Sequence, residues 1–280
     1  MSGPWNESLH RRLLDGVRAV GDYQLEHYGA LAPASLRTKS GHSDLVTAVD
    51  TESESRLAAL LHALLPEAAQ LGEEGLRRPG AGELTWIVDP LDGTTNYAHE
   101  HPFFCISVAL VRGREPVLGV IHAPRLGETF HGWGGRAWAD DAPLAVSARR
   151  SPETGLFATG FADRRQGNGR ADVNLGNLER ILHASRGVRR AGSAALDLAF
   201  TAAGRLDGFW EMGLNPWDVA AGIYLVRAAG GRVTDFRGAE DALAGDQIVA
   251  SSGRVHDWML GLLELAPAFD RAPAALFGGA

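Results

Sequence analysis

Apolar positions recur along this chain at two spacings, one helical and one extended, and their order sets out a mixed α/β fold. Between Asn6 and Tyr28, Leu9, Leu13, Leu14, Val17 and Val20 fall on one face of a helix. A second stripe, Leu57, Leu60, Leu61, Leu64 and Leu65, starts near Asp50 and is closed by Pro66. Thr51 and Glu54 have capping-box spacing, which predicts the start of that helix. Residues 37–50, between the two helices, read as a polar loop entering a short extended stretch.

The middle of the chain reads as sheet. Residues 84–88, 104–111 and 116–122 are short apolar runs, the last two parted by the turn Arg112-Gly113-Arg114-Glu115. Residues 128–133 and 136–138 predict a hairpin through Gly134-Gly135. From about Ala145 the mixture repeats, with strands over 155–159, 207–211, 232–236 and 247–251. Helices are predicted over 174–184, 193–203, 217–229 and 256–265. The Ala/Pro/Gly-rich stretch from Pro267 predicts a loosely ordered tail. No repeat or low-complexity linker interrupts the chain, so two closely packed halves, 1–144 and 145–280, are expected.

Composition narrows the function. A net charge of −7 offers no basic excess, which argues against a sequence-independent nucleic-acid binder. The single cysteine, Cys105, allows no intrachain disulfide, and its apolar surroundings predict a small buried hydrophobe. No apolar run approaches the ~20 residues that span a bilayer. Residues 1–7 lack the basic and apolar blocks of a signal peptide, so a cytoplasmic location is expected.

Candidate chemistry gathers where apolar strands stop. Asp89-Pro90-Leu91-Asp92-Gly93-Thr94-Thr95 follows the run 84–88 directly. Two acids three residues apart, with Pro and Gly, suit a tight turn that aims both carboxylates and a carbonyl at one point. Oxygen-only ligands of this kind suit Mg²⁺, although an ordinary polar turn has the same composition. Gly72-Glu73-Glu74-Gly75 places acids after the extended pair Gln70-Leu71, and Asn215-Pro216-Trp217-Asp218 places one in the first turn of a helix. The first also reads as a solvated charge pair and the second as a helix cap. Two carboxylates ~4 Å apart repel by roughly 4 kcal/mol at an effective dielectric near 20, so converging acids require cations or large pKa shifts.

These segments, with Trp86-Ile-Val-Asp-Pro-Leu-Asp-Gly-Thr-Thr-Asn-Tyr97 and Trp217-Asp-Val-Ala-Ala-Gly222, resemble the signatures of the inositol monophosphatase family. The likeness runs from about residue 9 to residue 262. Residues 190–199 and 204–213 are most similar to its bacterial inositol-1-monophosphatase branch. The resemblance implies a layered αβαβα sandwich and a phosphatase that hydrolyses inositol-1-phosphate. It implies one Mg²⁺ on Glu73, Asp89 and the Leu91 carbonyl, and a second on Asp89, Asp92 and Asp218. A third ion near Glu73 is a further possibility it carries.

Thr94 and Asp50 would orient and deprotonate the attacking water alongside Glu73, although Asp50 also fits a simple helix cap. Gly93 and Thr94 N–H groups would contact phosphate, and Asp92, Ala194 and Glu211 would face the substrate alcohol. Glu211 and the Gly192-Ser193-Ala194 turn could equally be structural, since Glu211 ends a strand and Ser193 is a good N-cap. Lys39 matches a lysine of the family's mobile loop, and Asp44 is a loop organiser. The same resemblance implies a homodimer and sensitivity to Li⁺. Fructose-1,6-bisphosphate, 3′-phosphoadenosine 5′-phosphate, histidinol phosphate and NADP(H) are alternative substrates. Some bacterial relatives act in transcription antitermination, which makes a regulatory binding role a different alternative.

Other features attract bland readings. His99-Glu100-His101 lacks the zinc-site spacing and Pro102 breaks any helix there. Ser40 and Ser43 lie near Lys39 without an oxyanion motif. Arg164-Arg165 and Arg189-Arg190 suit solvent or a subunit contact, and the scattered tryptophans suit core or interface.

Overall fold

The computed structural model of this chain describes residues 5–30, 37–38, 45–46, 48–161, 174–243 and 247–265. The chain opens with α1 (Glu7–His27), capped by the Asn6 side chain accepting the Leu9 N–H at 3.1 Å. A short antiparallel pair, β1 (Arg37–Thr38) and β2 (Leu45–Val46), leads into α2 (Ala48–Leu64). That helix starts ahead of the expected capping box. Thr51 and Glu54 are both inside it, and Glu54 bonds to a distant loop instead of reaching back to a cap.

Next come β3 (Ala69–Gly72), β4 (Arg77–Arg78), β5 (Leu84–Asp92), α3 (Thr94–Ala98), β6 (Cys105–Arg112) and β7 (Glu115–Ala123). The hairpin of β8 (Glu128–Trp133) and β9 (Arg136–Ala139) follows, then β10 (Ala142–Pro143). These strands form one sheet in the order β10-β9-β8-β7-β6-β5-β3-β4, antiparallel throughout except where β3 runs parallel to β5. The rest of the chain supplies β11 (Leu156–Thr159), α4 (Asn174–His183), β12 (Gly187–Arg189), α5 (Ala194–Ala202) and β13 (Gly208–Met212). It ends with α6 (Pro216–Ala228), β14 (Arg232–Thr234), β15 (Gln247–Ser251) and α7 (His256–Leu262). Its five strands form a mixed sheet, ordered β12-β11-β13-β15-β14.

Strand alternation shows which layers meet. On β5, Trp86 and Val88 join Leu13, Val17, Leu57 and Leu61 of α1 and α2, whereas Ile87 points the other way. β6 repeats the division, with Ile106, Val108 and Leu110 on the α1/α2 side and Ala109 and Val111 opposite. The opposite cluster holds α5 and α6, and Phe209, Ile248 and Ala250 of the second sheet close it from beyond. Trp210, Phe157 and Val249 turn outward to Ile181 of α4 and Met259 of α7. The layers are therefore helix, sheet, helix, sheet, helix, as the family resemblance implied.

The central helices can serve both sheets because much of their buried surface is small and apolar, with Ala194, Ala195, Ala199, Ala202, Ala220 and Ala221 buried. Close approach is built in. A Cβ at Gly222 of α6 would lie 2.4 Å from the Leu198 side chain of α5. This packing carries the N-termini of α5 and α6 to the end of β5.

Candidate active site

The segment Asp89–Asp92 is a bulge rather than the expected tight turn. Asp89 pairs with Ser107 and Asp92 with Cys105, so three steps along β5 oppose two along β6. The local sequence explains this. Pro90 has no N–H for the ladder, and the Leu91 N–H is taken by Asp89 Oδ1 at 2.9 Å. Gln24 of α1 braces the bulge, its amide donating to the Pro90 carbonyl at 2.7 Å. The chain turns only at Gly93, whose φ of 95° is left-handed, and α3 begins at the next residue.

Four elements then converge on the bulge. α2 brings Asp50, 1% exposed, whose carboxylate stands 3.0 Å from the Thr94 hydroxyl. The same hydroxyl lies 3.0 Å from the Leu91 carbonyl and has one proton for the two acceptors. The β3–β4 loop brings Glu73, whose N–H donates to the Val88 carbonyl beside Asp89 at 3.2 Å. α6 brings Asp218, which caps its own helix by accepting the Asn215 N–H at 2.7 Å. α5 meets Asp92: the Ser193 hydroxyl and the Ala195 N–H both donate to Asp92 Oδ2 at 2.7 Å.

The structure bears out the capping reading of both Asp218 and Ser193, and it places both near the bulge. Asp218 is a cap and also an acid of the cluster. Ser193 caps α5 by accepting the Leu196 N–H and donates to Asp92. Asp50 sits inside the first turn of α2, facing Thr94, instead of capping from outside it.

Electrostatics ties the acids into one group. Burial, then the charges of Glu73, Asp92 and Asp218, hold the Asp89 carboxyl well above the usual carboxylate range. Asp218 is raised by burial, then by Asp92 and Glu73, with Glu211 adding to it. Burial pushes Asp92 up to about 6, against the bonds from Ser193 and Ala195 that favour its ionised form. The cluster is thus short of positive charge. Its donors are hard carboxylate and carbonyl oxygens, the chemistry that suits Mg²⁺ or Ca²⁺ rather than a soft metal. Cys105 adds no thiolate, because burial keeps its thiol far up and protonated.

Among the described residues no three His, Cys, Asp or Glu side chains form, as placed, a group that could hold a metal ion. Asp89, Asp92 and Asp218 each turn one oxygen to nearby donors.

The residues assigned to the alcohol lie beside this cluster. Ala194 begins α5 and is buried, and Glu211 lies half-buried near the end of β13. Gly160 faces Glu211 so closely that a Cβ there would lie 2.2 Å from its carboxylate. Asn96 of α3 links the two halves, donating to the carbonyls of Phe103 at 2.6 Å and Ala191 at 2.8 Å. Lys39, Ser40, Ser43, Asp44, Arg164 and Arg165 lie outside the described residues, as does the tail from residue 266. His99 and His101 are exposed and follow α3.

Sequence reasoning missed Gln24, Asn96 and the buried acid Asp197, which burial and neighbouring Asp92 raise well above the carboxylate range. Gln24 carried a signal, since it falls on the apolar stripe after Val17 and Val20. Asn96 and Asp197 carried none.

The profile of the inositol monophosphatase family matches residues 6–267. This chain belongs to that family. An inositol-1-monophosphatase of Synechocystis sp. is 37% identical over 263 residues, covering 93% of this chain and 90% of that protein. The Nus factor SuhB of Pseudomonas aeruginosa is 38% identical, covering 92% of this chain and 97% of its own length. The solved structure of the extragenic suppressor protein suhB from Bartonella henselae superposes with a TM-score of 0.86 at 36% identity, covering 92% of this chain and 99% of that one. The chain is accordingly a phosphatase, in a family that is generally metal-dependent. Among the described residues no helix is long and apolar enough to cross a membrane.

Proposed function

We infer that this phosphatase is Mg²⁺-dependent and hydrolyses inositol-1-phosphate to inositol and phosphate. The observation that carries the reading is the acid cluster at the end of β5, where burial and mutual charge raise Asp89 and Asp218 together. Glu73, Asp89 and the Leu91 carbonyl would hold one ion, and Asp89, Asp92 and Asp218 a second, with a third near Glu73 in the three-ion form. Bound there, the ions neutralise the acids and the phosphate, and acidify water.

The chain's own residues supply the remainder. Thr94 and Asp50, with Glu73 beside them, orient a water and take its proton as its oxygen attacks phosphorus. The Gly93 and Thr94 N–H groups receive phosphate oxygens. The phosphorus–oxygen bond to the alcohol breaks, the alcohol oxygen takes a proton from a solvent water as it leaves, and the proton abstracted from the attacking water returns to solvent. Asp92, the Ala194 N–H and Glu211 hold the polyol hydroxyls. In this reading residues 1–144 carry most of the phosphate chemistry, with Asp218 joining them from the other half, and residues 145–280 supply most of the alcohol contacts, in a cytoplasmic homodimer.

A substrate panel with Mg²⁺ tests the assignment. Phosphate release from inositol-1-phosphate should exceed that from fructose-1,6-bisphosphate, 3′-phosphoadenosine 5′-phosphate, histidinol phosphate and NADP(H). Equal or slower release overturns the substrate, and turnover unaffected by EDTA overturns the metal. Millimolar Li⁺ should inhibit. The Nus factor name of the Pseudomonas relative favours a second reading, a regulatory binding role. Asp92→Asn should then stop hydrolysis and leave partner binding intact; loss of both together counts against a separate role.

A further inference from the structure

Asp50 and Glu54 are one helical turn apart on α2, hence on one face, and both are buried. Asp50 meets the Thr94 hydroxyl. Glu54 meets the loop that carries Glu73, and both its oxygens are used there. Oε2 accepts the Glu74 N–H and Oε1 the Leu76 N–H, each at 2.9 Å. A carboxylate with 7% exposure has given up most of its hydration, so its place depends on these charge-assisted bonds.

The rest of the loop is arranged around that carboxylate. The Gly72 N–H donates to the Leu76 carbonyl at 2.9 Å, closing the loop at its base. Arg77 donates to the carbonyls of Gly72 and Leu76, and its guanidinium lies 5.7 Å from the ring centre of Trp217, the neighbour of Asp218. Gly72 ends β3 and its φ is not left-handed, so backbone freedom does not call for a glycine. Space does: a Cβ would stand 2.1 Å from Glu54 Oε2.

We propose that Glu54 is a positioning residue, which holds the Glu73 loop against β5 so that Glu73 and Asp89 share a cation. This rests on the metal reading of the acid cluster. α2 then works as a strut of fixed length, setting the water-activating pair with one residue and the Glu73 loop with the next on the same face. Glu54 touches neither substrate nor metal.

The test is Mg²⁺ binding by calorimetry, alongside Mg²⁺ dependence of phosphate release. Glu54→Gln keeps one acceptor oxygen and turns the amide NH2 donor towards the other loop N–H, and Gly72→Ala pushes the native carboxylate off its donors. Each should raise the half-saturating Mg²⁺ concentration by about 10-fold or more, the usual effect of losing a group that orients a ligand. Turnover should recover at saturating Mg²⁺ with KM unchanged. The double variant should be no worse than the weaker single one. Glu52→Gln, on the exposed face of α2, should match wild type. Cooperative melting in EDTA identifies the variants that fold, and either one suffices. Folded variants with wild-type Mg²⁺ affinity overturn the role of Glu54, as does lost turnover that Mg²⁺ cannot restore. A wild-type chain that takes up no Mg²⁺ overturns the metal reading and this inference with it.

Discussion

The bulge at the end of β5 and the end of β13 both present acids to the same place, yet they are held in different ways. Around the bulge every part has its brace: Asp89 by the Leu91 N–H, the Pro90 carbonyl by Gln24, Thr94 by Asp50, and Asp92 by Ser193 and Ala195. Glu211 lies half-buried on its strand, in space cleared by the absence of a side chain at Gly160. A reaction centre needs groups fixed to within about 0.5 Å, and the several hydrogen bonds around the bulge provide that. Selectivity asks less of geometry. Under the proposed function, the difference separates a region whose chemistry tolerates no change from one where changes alter preference.

Four experiments break or sharpen that contrast. Asp89→Asn should have the largest effect, lowering turnover on every ester by on the order of 10⁴-fold, the upper range for one catalytic group. It should also abolish the rise in Tm on adding Mg²⁺, which for wild type corresponds to about 2.7 kcal/mol at a hundred times the dissociation constant. A variant that keeps that rise would remove Asp89 from the metal set. Thr94→Ala should cost about 10²-fold in kcat, the low end for general-base assistance, with Mg²⁺ affinity unchanged. A shift in affinity without a loss of kcat would make Thr94 structural.

On the other side, Glu211→Ala should lower kcat/KM for inositol-1-phosphate by about 10-fold, as loss of one charged hydrogen bond of ~1.5 kcal/mol implies. An ester without ring hydroxyls should be unaffected. Equal losses on both would place Glu211 in the chemistry and collapse the distinction.

The smallest effect concerns the frame. His256 is fully buried between Ser251 and Thr234, and burial, then Arg232, lower its pKa to about 4 from 6.5. Between those values the unfolded chain binds the proton and the native chain does not, so stability falls as pH drops from 6.5 towards 4. His10 has the same shift, from burial and His131, and adds to the slope. The raised carboxyls of Asp89, Asp92, Asp197 and Asp218 act in the opposite direction over this range, so the histidine contribution is read as a difference between variant and wild type. On lowering the pH from 6.5 to 4, His256→Gln should lose less Tm than wild type, and equal changes in the two would remove His256 from the effect.

How much was legible in advance varied with how local the cause was. Strands β5 to β9 and helices α5 and α6 followed from alternation, stripes and glycine stops, because burial on one face imposes a period on the sequence. Short elements did not. β4, β12 and α3 are two to five residues long, too short for any period to emerge. The Thr51–Glu54 pair misled because capping-box spacing is also ordinary one-face helical spacing, and the nearby β3–β4 loop offered Glu54 stronger partners. The Asp89–Asp92 turn became a bulge because β6 continued to pair on both sides of it.

By itself the sequence determined the layered α/β order and the identity of the acids, since apolar periodicity and the Asp89-Pro-Leu-Asp92 block are written in neighbouring residues. Tertiary structure alone decided that Asp50, Glu73, Asp218 and Ser193 meet at that block, and that Glu54 faces inward to hold one of them. The physical reason is the same in each case. A helix fixes which residues share a face, but only the sheet and helices packed against it decide which face is buried and which charges must lie together there.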